Sequence, residues 1–141
     1  MAQQEVSTSS GSALNEYVAQ SNGKEFSWSA NNCGDFIRGW IREATGKTID
    51  VLPHGDTEAE AMDRIVELGG IERMMTLALG CSPIPASMAQ VGDIVLVSGG
   101  SMGVLCVCNG RTAVGPGQLG RPVFVPMFMA TAAWRIREVL Q

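Results

Sequence analysis

Apolar residues follow a helical period up to Gly80 and a strand-like pattern from Val91 onward. Leu14, Tyr17 and Val18 stand at i, i+3 and i+4, which predicts a short helix stopped by Gly23. Phe26 and Trp28 follow in an extended loop. From Cys33 the helical spacing returns, with Phe36, Ile37, Trp40, Ile41 and Ala44 on one stripe and Gly46 at its end. That stripe is apolar enough to be the central packed helix. The segment "KTIDVLPHGDT" is turn-rich, carrying Pro53, Gly55 and Asp56. Thr57 with Glu60 three residues on has the form of a capping box. The helix it opens carries Ala61, Met62, Ile65, Val66 and Leu68 before Gly69-Gly70. "IERMMTLALG" predicts a further short helix closed by Gly80. "CSPIPASMAQ" cannot be regular, because Pro83 and Pro85 remove backbone donors and fix φ.

Past Val91 the elements shorten. "GDIVLVSGG" reads as a strand between glycine signals, and "MGVLCVCNGR" as another that ends in an Asn-Gly hairpin turn. "TAVG" continues the hairpin, "RPVFVP" is a short strand bounded by prolines, and "AAWRIREVL" fits either a last strand or a helix. Helices first and an antiparallel sheet afterwards predict an α+β domain over residues 12–141. The polar, Ser-rich residues 1–11 are expected to form a flexible N-terminal arm.

Composition narrows the partners. The chain has 141 residues, enough for one domain with its own core. Its formal net charge is −4 and no Lys/Arg cluster occurs, so it carries no electrostatic footprint for nucleic acid or an anionic membrane. The uncharged run "VLVSGGSMGVLCVCNG" is broken by glycines and reads as strands, short of the apolar length a spanning helix needs. The N-terminus lacks the basic start and apolar centre of a signal peptide, which predicts synthesis and folding in a reducing cytoplasm. Cys33, Cys81, Cys106 and Cys108 are then read as free thiols. Cys106 and Cys108 share one face of a strand with no matching C-x-x-C, which favours small buried hydrophobes over metal ligands. No metal and no cofactor is expected.

One stretch carries candidate chemistry. In Trp28, then Asn32-Cys33-Gly34-Asp35-Phe36, the cysteine opens the central helix. Together with Gly92-Asp93-Ile94-Val95 and Met102-Gly103-Val104, this order resembles the NlpC-like branch of the papain-like fold, the small cell-wall peptidases and amidases. It is similar, more closely, to a family encoded by phages and prophages. That family has a W-x-x-x-(D/N)-C-x-x-F segment, a helical Gly-Gly middle and a closing Ala-Trp-Arg, here Ala133-Trp134-Arg135. The likeness covers about residues 13–137 and implies an NlpC-type arrangement of N-terminal helices on a C-terminal sheet. It implies a tail-associated protein.

A thiol at a helix N-terminus gains from the positive end of the helix dipole, which favours thiolate. Catalysis also needs a base within hydrogen-bond reach. In the enzymes that this chain resembles, that base is a histidine at the start of the second strand. Here that slot falls on Ser101, with Met102 beside it, and the chain's one histidine is His54 in the turn-rich connection. Two expectations follow. In the first, the chain is a structural part of a phage tail, at or near the tip or baseplate, on a fold that has lost its chemistry. It would dock on tail-hub and distal-tail proteins, and Met127, Phe128 and Met129 beside Pro126 are the candidate contact patch. Its place would be the virion. In the alternative, Cys33 is the nucleophile of a peptidase or amidase cutting peptidoglycan peptides, and His54 is a displaced base. Trp40 and Trp134 are expected in the core, with Met62, Met74 and Met75 as core filling, and Asp93 as a turn cap.

Overall fold

The computed structural model describes residues 2–21, 33–49, 58–99, 103–116 and 121–140. Four helices precede five strands: α1 (Ala2–Ser21), α2 (Cys33–Thr45), α3 (Glu58–Glu67) and α4 (Ile71–Leu79), then β1 (Ile94–Val97), β2 (Val104–Cys108), β3 (Thr112–Pro116), β4 (Pro122–Pro126) and β5 (Ala130–Trp134). Neighbouring strands are antiparallel, in the order β4-β3-β2-β1-β5. The fold is α+β, with the helices N-terminal and the sheet C-terminal.

The alternation of side chains along each strand builds two cores, one on each face of the sheet. Ile94, Leu96, Leu105, Val107, Val114 and Trp134 face the helices and meet Phe36, Ile37, Trp40 and Ile41 of α2 and Met74, Met75 and Leu79 of α4. Val95, Val97, Cys106, Cys108, Ala113 and Ala133 face the other way. That second face is covered by Ile84 and Ala89, from the irregular segment after α4, and by Met127 and Ala130. Burial on both faces explains why β1 is a continuous apolar run rather than an alternating one.

Both sheet edges are blunted against further pairing. On β5, Ile84 and Ala133 exchange backbone bonds of 2.7 and 3.1 Å, so the proline-rich segment shields the edge. On β4, Pro122 and Pro126 at the two ends remove donors. The final segment settles as strand β5 followed by a 3-10 turn, Ile136–Glu138. It is pinned there by Leu140 N–H donating to Leu79 O (2.7 Å) and by Lys47 Nζ donating to Val139 O (2.8 Å).

Within the stretch expected as a flexible arm over residues 1–11, residues 2–11 are helical, as part of α1 from Ala2. Ala2, Gln3, Gln4 and Glu5 are ordinary helix formers without an apolar stripe, so hydrophobic period had nothing to register there. Trp40, Trp134, Met74 and Met75 are buried as expected. Phe26, Trp28, His54, Thr57, Ser101 and Met102 lie outside the described residues.

Candidate functional site

Helix α2 begins at Cys33, so the backbone places that residue in the first turn, as its spacing predicted. What holds the helix in place is the stripe three to eight residues further on. Phe36, Ile37, Trp40 and Ile41 are all essentially inaccessible to solvent. Trp40 Nε1 donates to Gly92 O at 2.7 Å, tying the second half of the helix to the residue two before β1. The head of the helix stands about 10 Å further along its axis, at 1.5 Å per residue.

The N-terminal half of α2 is held by α1. Tyr17 lies against Phe36 and Trp40, with ring centroids 5.2 and 5.9 Å away. Its hydroxyl donates to Phe36 O at 2.7 Å. That approach needs Gly39, because a Cβ at that position would run into the Tyr17 hydroxyl and ring. Burial, with a smaller contribution from Glu43, pushes the phenol up to about 12. The hydroxyl is therefore a fixed donor near neutral pH. Asp35, also in the first turn, is favoured by the helix dipole and pairs with Arg38 one turn on.

At the start of the sheet, Asp93 is a clamp. It is 4% exposed, and Oδ2 accepts from Gln90 N–H (2.9 Å) while Oδ1 accepts from Ile136 N–H (3.0 Å). The expected turn cap is present, and the second bond ties in the C-terminal segment as well. Both oxygens thus accept from backbone donors, which gives Asp93 a structural role where the sheet begins.

The turn between β1 and β2, where the resemblance puts a catalytic histidine, is closed by Gly103 N–H donating to Gly99 O at 2.8 Å. Gly103 has φ +88°, and a Cβ there would stand 2.9 Å from Leu96 Cδ1 and 3.1 Å from Val97 O. Only glycine fits. Ser101 and Met102 sit within this turn by sequence, and they, like His54, lie outside the described residues. The structure thus fixes the helix that Cys33 opens and the two ends of the turn.

The other thiols are structural. Cys106 and Cys108 are buried on the second face of the sheet. Burial raises Cys108 above the ordinary thiol range, against the N–H of Gly110 that bonds its sulfur at 3.4 Å. Cys81 is raised too, by burial first and then by Glu138 and Asp93. Neither favours thiolate. The three residues of the candidate contact patch form a 3-10 turn, Met127–Met129, over the second face. Met127 packs inward on that core, while Phe128 is 87% exposed and Met129 is exposed beside it. Tyr17 and Gly39 were not legible as a pair, since only their spatial meeting gives either one its role.

Residues 8–136 match a family model described as Domain of unknown function (DUF6950), and the chain belongs to that family. No curated protein matches it.

Proposed function

We propose that this DUF6950 member is a structural component of a phage tail, at or near the tip or baseplate, built on an NlpC-like fold without a working catalytic pair. The observation that carries this reading is in the sequence. The position where the resembling enzymes keep their base is Ser101, followed by Met102, and the chain's one histidine falls instead between α2 and α3. Neither serine nor methionine can take a thiol proton near neutral pH. Two further features support it. Asp93, the carboxylate of the Gly-Asp motif, spends both oxygens on backbone donors. Phe128 presents a large apolar side chain to solvent, which a protein that docks on others would cover. The partners under this reading are tail-hub and distal-tail proteins, and the location is the virion.

The decisive experiment is a wall-digestion assay with purified peptidoglycan, comparing the natural chain with Cys33→Ala, alongside mass spectrometry of purified particles. The structural reading expects the chain among the particle's proteins and no release of stem peptides by either form. Digestion that vanishes in Cys33→Ala would overturn it. One observation favours the enzymatic alternative, namely that Cys33 is the first residue of α2, where a thiol is most easily ionised. Under that alternative Cys33 reacts with iodoacetamide well below pH 8 and His54→Ala abolishes activity.

A further inference from the structure

Charge divides this chain. After Glu72 the only acidic residues are Asp93 and Glu138, and Asp93 is buried, whereas Arg111, Arg121, Arg135 and Arg137 all fall in that half. The sheet keeps two chemically different surfaces apart. On the helix side, an open hollow of about 670 Å³ lies between α4 and β1, walled by Ile71, Leu77, Pro83 and Leu96. Leu77 is 58% exposed there, an apolar wall facing solvent. Glu72 and Arg73 stand at this hollow, and the adjoining α3 exposes Asp63 and Glu67 beside Arg64. That side is apolar at its centre and net negative around it.

The opposite side is its converse. Phe128 projects from the Met127–Met129 turn, which packs over the second core together with the Ala86–Met88 turn. Met88 and Met129 are exposed nearby. Exposed Arg111 adjoins this turn, its carbonyl accepting the Met127 N–H at 3.0 Å. The knob and the hollow belong to opposite faces of one sheet, so Phe128 cannot fill the hollow of its own molecule.

We propose that copies of this chain associate head to tail, with Phe128 of one copy seated in the hollow between Leu77 and Leu96 of the next. Apolar knob meets apolar hollow, and Arg111 is brought to the acidic rim of α3 and α4. Both complements are encoded in one sequence, so no second protein is needed to supply either. Because the two surfaces differ, each bound pair still offers one free knob and one free hollow. The contact therefore propagates into a ring or a filament rather than stopping at a symmetric dimer. An aromatic anchor in a desolvated hollow, with charged residues outside it, is the arrangement in which a few side chains dominate association.

Sedimentation velocity over a wide concentration range tests this, with thermal melts confirming that each variant is folded. The natural chain should grow beyond dimer with concentration and dissociate as salt screens the rim. Phe128→Asp and Leu77→Asp, both on exposed side chains, should each weaken association by about tenfold or more. Their equimolar mixture is the sharper arm. Phe128→Asp retains a hollow and Leu77→Asp retains a knob, so the mixture should form a heterodimer that stops at two. A natural chain that stays monomeric throughout overturns the proposal. So does a mixture that fails to pair, or a single variant that still assembles like the natural chain. None of these outcomes depends on whether Cys33 is catalytic.

Discussion

Replacing Gly39 by alanine should destabilise this protein, although the same change in a helix interior ordinarily does the reverse. On propensity alone, Gly→Ala in the middle of α2 is worth about 1 kcal/mol of added stability. At Gly39 the new methyl group would collide with the Tyr17 hydroxyl and ring. To relieve the collision Tyr17 must withdraw, which breaks its bond to Phe36 O, worth about 1 kcal/mol net, and loosens its contacts with Phe36 and Trp40. Aromatic pairs contribute roughly 0.5–1.5 kcal/mol beyond their area, and overpacking costs about 1–3 kcal/mol. The losses exceed the propensity gain, leaving a net destabilisation of about 1.5–4.5 kcal/mol. Urea unfolding of four proteins closes the cycle: the natural chain, Gly39→Ala, Tyr17→Phe and the double variant. Because the hydroxyl makes the worst contact, Gly39→Ala should cost less in the Tyr17→Phe background than in the natural one. If Gly39→Ala instead stabilises by the full propensity increment, or costs the same in both backgrounds, α1 does not pack on α2 as described.

Tyr17 is the chain's one tyrosine, so its absorbance reports a single titration. With the folded phenol near 12 against an ordinary 10.0, the stabilisation is complete below pH 10 and is lost as pH rises from 10 toward 12. Tyr17→Phe should remove that loss, and a phenol titrating near 10 in the folded chain would contradict the packing. Trp40→Phe keeps most of the buried ring but leaves Gly92 O without its donor, and should cost about 1–3 kcal/mol in chemical denaturation. Gly103→Ala must adopt positive φ against Leu96 and Val97 O, and a stability loss of at least about 1 kcal/mol is expected. Cys106 and Cys108 should resist alkylation at neutral pH until the protein is unfolded, as read by peptide mass mapping; rapid labelling of either in the native state would place the second face of the sheet in solvent.

Periodicity alone carried most of the architecture. The stripe from Phe36 to Ile41, the run Ile94–Val97 and the Asn-Gly hairpin each encode their element locally, because side-chain spacing and turn chemistry act within a few residues. That position 101 holds serine and not histidine is likewise read from the sequence alone. The polar start of α1 was not legible, as a helix without an apolar stripe leaves no periodic trace. Three features belong to tertiary structure alone. Gly39 matters only because Tyr17 arrives from another helix; Asp93 becomes a clamp only when Ile136 is folded back against it; and Phe128 and Leu77 acquire opposite faces only once the sheet stands between them. Each depends on contacts between residues remote in sequence, and such contacts are set by how whole elements pack, which no local pattern of hydrophobic and polar positions records.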